Sequence, residues 1–279
     1  MGQITFYTAE CMEFPSLGEY HNNLTLQEAV AAYQAIPANR LHGIKGIGFT
    51  LEDARMMARC PEGFEQVGFA EEDSLTGEFP RLCMMGGEFC GNAARAFACY
   101  AAGVRGRGET RLSVAISGAR NPVPVEIEPA SGRAYAQMPL PCALDRLCAD
   151  GRDIPLVRME GIDHALLLNE APSPELAERV LAAMPGQDAQ GVLFVQGGRM
   201  TPLVYVPATD TRVWESSCGS GTVALAWYLA RRFADGTHVF AFDEPGGRLE
   251  ARVAMADGRA ARIEMGGAVR LGEERKIEL

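Results

Sequence analysis

One eleven-residue pattern occurs twice in this chain, and it narrows the possible folds more than any other feature. Residues 90–100 read Cys-Gly-Asn-Ala-Ala-Arg-Ala-Phe-Ala-Cys-Tyr, and residues 218–228 read Cys-Gly-Ser-Gly-Thr-Val-Ala-Leu-Ala-Trp-Tyr. Small, helix-favouring residues dominate both runs after the Cys-Gly-polar opening. With little polar surface on any face, each run predicts a buried central helix. The likeness continues downstream. After the first run come the strand-like Arg111–Ile116, the turn Ser117-Gly118, Val123–Ile127 and a third segment from Gly132 to Met138. After the second come His238–Phe242, the turn Gly246-Gly247, Leu249–Met255 and a segment from Gly258 to Met265. Alternating segments bounded by turn residues predict hairpins. A repeat of this period therefore predicts an α+β fold of two pseudo-symmetric lobes facing each other, each a strand-rich sheet around one apolar helix.

Duplication alone accounts for the helices and hairpins. It does not account for a cysteine and a following glycine at the same helix-start position in both copies. A helix start carries unsatisfied N–H groups and the positive end of the macrodipole, which draws a thiol down from about 8.5 into a range of roughly 3.5–7.5. Glycine beside it lets an anion approach the backbone. Cys90 and Cys218 are thus candidate acid/base thiols, and Gly91, Asn92, Gly219 and Ser220 are candidate cradles for a carboxylate. One carboxylate held by both helix starts would place its α-carbon between two thiols. Inverting that carbon without pyridoxal phosphate needs a base on one face and an acid on the other, a task suited to a thiol/thiolate pair.

Composition excludes other classes. The 26 basic and 36 acidic residues give a net charge of −10, the wrong sign for nucleic acid or an anionic membrane. No stretch approaches the ~20 apolar residues of a membrane span, and the N-terminal residues show no secretory signal. The expectation is a cytoplasmic protein with reduced thiols, in which most of the eight cysteines are small buried hydrophobes. No Cys-x-x-Cys occurs and the four histidines lie far apart, so no metal site is expected. No cofactor is expected either. The partner is a small-molecule amino acid, with a homodimer as the assembly to test.

Residues 84–97 (MMGGEFCGNAARAF) and 215–224 (ESSCGSGTVA) resemble the two active-site blocks of the diaminopimelate epimerase family. The likeness runs from about Arg55 to Leu279 and takes in Gly63-Phe64-Glu65-Gln66, Gly161–His164 and Pro245-Gly246-Gly247. It implies that each lobe is a closed mixed β-sheet around its central helix. Residues 1–118 would form the N-terminal lobe, completed by 267–279, and 119–266 the C-terminal lobe, with the site in the cleft between them. It also adds Gln66, His164 and Glu215 as candidate substrate-binding residues. Residues 1–53 are atypical for the family, with Leu26–Ile36 reading as a short amphipathic helix.

The chain departs from the family where the far end of diaminopimelate is recognised. The family's Glu-Arg pair falls on Thr209-Asp210, and its Asn before Pro-His falls on Ile162. A second buried carboxylate without an arginine would be costly. In this the chain resembles the histidine racemases, and Glu65, Asp163, Asp210 and Glu215 suit a basic or imidazole side chain. The expected function is a cofactor-independent racemase or epimerase of a free amino acid such as histidine. Diaminopimelate epimerase is one alternative; a thiol redox enzyme and a non-catalytic binding protein on the same fold are others.

Overall fold

Alternation of apolar residues along strands, and small residues along two helices, decides how this chain folds. The computed structural model describes residues 3–6, 9–10, 67–84, 87–106, 108–208, 210–272 and 275–278. These fall into two compact units. The second is Gln137–Gly266, and the first takes in the described residues on either side of it. Gln66, the rest of its Gly63–Gln66 block and the Leu26–Ile36 segment lie outside the described residues.

In the first unit, β1 (Gln3–Phe6) and β2 (Ala9–Glu10) pair with strands from the far end of the chain, β18 (Arg275–Glu278) and β17 (Arg270–Leu271). The main sheet has the order β3 (Gly68–Ala70), β4 (Arg81–Met84), β5 (Arg111–Ile116), β6 (Val123–Glu128), β7 (Arg133–Met138). β4 and β5 run parallel, the remaining paired neighbours antiparallel. Leu112, Val114 and Ile116 of β5, and Val123, Val125 and Ile127 of β6, all turn inward. They meet Ala94, Phe97, Ala98 and Ala101 of helix α1 (Gly91–Arg105), as period-2 strands and a period-3.6 helix require. Burying each large aliphatic side chain contributes about 1.5–3 kcal/mol. Gly106, in the left-handed conformation at φ 63°, ends α1 with its N–H on Ala102 and Gly103 carbonyls, a glycine helix stop.

In the second unit the sheet order is β16 (Arg259–Ala268), β15 (Gly247–Ala256), β14 (Gly236–Glu244), β12 (Arg199–Val206), β11 (Ala189–Gln196), β10 (Ile162–Leu168), β9 (Arg152–Arg158), β8 (Ala143–Ala149), with β13 (Thr211–Trp214) also on β12. β10 and β11 are parallel, which demands a crossover. Helix α2 (Pro174–Ala183) supplies it, with Ser173 capping Leu176 N–H and Pro174 in its first turn. Helix α3 (Gly219–Ala230) packs mainly on β15, with further contacts on β10 and β14. Val223, Ala224, Leu225 and Ala226 are all fully buried. Each unit thus carries the run helix–strand–strand–strand: α1-β5-β6-β7 in one, α3-β14-β15-β16 in the other.

Candidate active site

Both repeated cysteines occupy the N-cap positions of their helices. Cys90 and Cys218 have extended backbones (φ −127°, ψ 113° and φ −118°, ψ 97°) immediately before α1 and α3. Each carbonyl accepts the first intrahelical bond, from Ala94 N–H at 3.0 Å and Thr222 N–H at 2.9 Å. Both thiols are buried.

The α1 start is held by the turn Ser117-Gly118. The Ser117 hydroxyl accepts Met84 N–H at 2.8 Å and donates to Glu88 O at 3.0 Å. Gly118 sits at φ 73°, and a Cβ there would lie 2.3 Å from Phe89 N, so only glycine lets the turn approach the loop entering Cys90. Cys90 Sγ accepts Ala93 N–H at 3.4 Å, and the thiol is thereby its own helix cap. Asn92 Oδ1 accepts Arg95 Nη2–H at 2.7 Å. Arg95 is fully buried and also donates to Ala134 O at 3.3 Å and Gly267 O at 3.1 Å. This arginine, which sequence reasoning missed, ties the helix start to the backbone carbonyls of Ala134 on β7 and of Gly267.

The α3 start is organised differently. Cys218 Sγ makes no capping bond. Instead the buried Glu244 carboxylate, at the end of β14, accepts Cys218 N–H at 2.6 Å and the Thr222 hydroxyl. A carboxylate at a helix start is favourable for the same dipole reason as a bound anion. Glu215 N–H is anchored on Pro202 O at 3.0 Å. Burial pushes the Cys218 thiol well above its ordinary value; the Glu215 and Glu244 charges push it further, and the Ser220 hydroxyl works against them. At Cys218, burial and two carboxylates thus act against the lowering expected of a helix start.

Ser220 Oγ lies 3.6 Å from Cys218 Sγ and 3.0 Å from His164 Nε2. His164, on β10, is fully buried, which lowers its pKa to about 3 and keeps it neutral. In the second unit, then, Cys218, Gly219, Ser220, His164 and Glu215 converge. In the first unit Cys90, Gly91 and Asn92 do so. Glu244 and Thr222 were missed from sequence; the Pro245-Gly246-Gly247 turn beside Glu244 was the available signal.

Two carboxylates proposed for substrate recognition are otherwise engaged. Asp163 is fully buried and paired with Arg158 Nε at 2.8 Å. Asp210 is exposed and bonded to Arg212 at 2.7 Å and to the Tyr205 hydroxyl at 3.1 Å. Glu65 and Thr209 lie outside the described residues. Of the six described cysteines, Cys90 and Cys218 are buried, Cys83 and Cys99 half-buried, and Cys142 and Cys148 exposed. The expectation that most cysteines are buried hydrophobes is therefore corrected: at these positions burial singles out the repeated pair. Among the described residues, no group of three or more His, Cys, Asp or Glu is placed to hold a metal ion, and no helix is long and apolar enough to cross a membrane.

A histidine racemase of Fusobacterium nucleatum is 32% identical over 182 residues, covering 60% of this chain and 66% of the relative. The chain thus spans just under two thirds of that protein. Among solved structures, a phenazine biosynthesis protein of the PhzF family from Enterococcus faecalis matches with a TM-score of 0.58 at 14% identity, covering 100% of both chains. A probable proline racemase from Agrobacterium radiobacter K84 matches with a TM-score of 0.56 at 14% identity, covering 99% of this chain and 93% of that one. At such identities these two likenesses concern the fold, which is mainly β-sheet with few helices. The profile of the family described as "Histidine racemase CntK N-terminal domain" matches residues 53–277, and the chain belongs to that family.

Proposed function

We propose that this protein is a cofactor-independent amino-acid racemase that inverts the α-carbon of free histidine with Cys90 and Cys218 as its two acid/base groups. The observation that carries the reading is the recurrence of a buried cysteine cap followed by glycine at the starts of α1 and α3, in a chain of the histidine racemase family. One thiolate removes the α-proton, leaving its electron pair on carbon conjugated with the carboxylate. The thiol on the opposite face then delivers its own proton, and the product is the other enantiomer. N–H groups beside Gly91-Asn92 and Gly219-Ser220 hold the carboxylate and its developing charge. Because Cys218 is pushed well above its ordinary value, it rests as the thiol and serves first as the acid. No metal or organic cofactor enters this scheme.

On this proposal the two units are the duplicated closed lobes of the diaminopimelate epimerase design, in a cytoplasmic enzyme that acts on a small molecule as a homodimer. Histidine is favoured over diaminopimelate because Thr209-Asp210 replaces the family's Glu-Arg pair. Gln66 and Glu215 are further substrate-side candidates. A side-by-side assay of L-histidine, other L-amino acids and meso-diaminopimelate, followed by chiral chromatography without added cofactor, tests this. Inversion of histidine is expected to be fastest. Preference for meso-diaminopimelate, or no inversion of any amino acid, would overturn the reading.

A further inference from the structure

His164 lies fully buried on β10 with one of its two ring nitrogens unaccounted for. Nε2 is 3.0 Å from Ser220 Oγ, but Nδ1 has no hydrogen-bond partner. The space around Nδ1 is closed by backbone: a Cβ on Gly191 would stand 2.1 Å from it. β10 and β11 pair with His164 directly opposite Gly191, so the ring lies against the bare Cα of the neighbouring strand. An N–H buried there without an acceptor would forfeit a hydrogen bond, whereas a bare lone pair is the lesser loss. The proton therefore sits on Nε2, and Nε2–H donates to Ser220 Oγ. With its oxygen used as acceptor, the serine has its own O–H to direct elsewhere, and Cys218 Sγ is 3.6 Å away.

We propose that Ser220 is a positioning residue, oriented by the Nε2–H of His164, that aims its hydroxyl proton at Cys218 Sγ and favours the thiolate each time this cysteine acts as base. The inference rests on the two-thiol reading for its catalytic meaning and on geometry for the hydrogen-bond direction. The other titratable groups facing this sulfur are Glu215 and Glu244, and both oppose thiolate formation. The Ser220 hydroxyl is thus the described group that offsets burial and two carboxylates. A protonated histidine would bring a charge of its own into this array. Because His164 stays neutral down to about pH 3, the relay keeps one direction throughout the working range.

Two measurements test the proposal, and neither needs turnover, so failure of the racemase reading is read separately. In the unaltered protein, nitrogen-15 NMR of His164 should show the Nε2–H tautomer; an Nδ1–H tautomer overturns the proposal. The ultraviolet thiolate absorbance that disappears in Cys218→Ala reports the titration of Cys218. Ser220→Ala should move that titration up by roughly one to two pKa units, the loss of one hydrogen bond to an anion, while Ser220→Thr should restore it. His164→Gln, which keeps a donor near the Nε2 position, should shift it less than His164→Leu. In a Ser220→Ala background His164→Leu should add nothing. An unchanged titration in Ser220→Ala, or an equal further shift by His164→Leu in that background, overturns the relay.

Discussion

The two helix starts share a Cys-Gly-polar sequence but are built by different means. At α1 the thiol itself accepts Ala93 N–H, and the third residue, Asn92, turns to a buried arginine. At α3 the thiol caps nothing; a carboxylate from β14 takes the cysteine's N–H, and the third residue, Ser220, lies between sulfur and imidazole. Both sulfurs are buried. That of Cys90 meets a backbone donor, which suits an anion, while that of Cys218 faces two carboxylates, which suit a proton. Similar motifs thus have unlike surroundings, and in the proposed two-thiol reaction the two surroundings suit opposite partners, one base and one acid. Under that proposal, the two directions of racemisation start from different protonation states.

The largest effect expected is on turnover. Cys90→Ala and Cys218→Ala should each lower racemisation by at least about 10²–10⁴-fold in both directions; near-normal turnover in either variant breaks the pairing. Next comes the support of each start. Gly118→Ala, forced against the backbone before Cys90 at positive φ, should cost about 2–4 kcal/mol in urea unfolding. Gly219→Ala meets only the flexible end of Met265, at 2.7 Å, and should cost about 1 kcal/mol or less. Equal losses would contradict the asymmetry.

A smaller effect concerns pH. His164 is neutral when folded and takes up a proton only near pH 3, against an ordinary value of 6.5. Above 6.5 this imidazole is neutral in both states and contributes no pH dependence. Below it the unfolded chain binds the proton first, so stability falls as pH drops toward 3, by roughly 1 kcal/mol per pH unit. His164→Gln should flatten that slope in acid denaturation, and an unaltered slope would contradict a buried neutral imidazole. The smallest effect is at Asp210, whose carboxylate is exposed and bonded to Arg212 and Tyr205. Asp210→Asn should change stability by less than about 0.5 kcal/mol and leave the preference for histidine intact. A lost preference would restore this residue to the substrate.

Local pattern made much of this legible. The Arg111–Ile116 strand was readable to the residue because Leu112, Val114 and Ile116 alternate ahead of a Ser-Gly turn. Both helix starts were readable because cysteine and glycine recur before alanine-rich runs. What escaped was long-range: Glu244 lies 26 residues beyond the backbone N–H it caps, and His164 lies 56 residues before Ser220. The Pro245-Gly246-Gly247 turn marks the neighbourhood of Glu244 but not the N–H that it caps, and the direction of the Cys218 shift depends on burial created only by folding. Arg95 drew no reading of its own from the sequence, because its partners at Ala134 and Gly267 come from distant strands.

The central claim is that two unequal thiols serve one α-carbon, and isotope placement tests it most directly. L-histidine is to be incubated in deuterated water and stopped at low conversion, and the α-position of product and of recovered substrate analysed separately. The account predicts deuterium in nearly all D-histidine formed and almost none in the remaining L-histidine, because one thiol keeps the abstracted proton while the other delivers a solvent deuteron. Deuterium appearing equally in both enantiomers, or protium returned to the product, would mean that a single base does both steps and would contradict it.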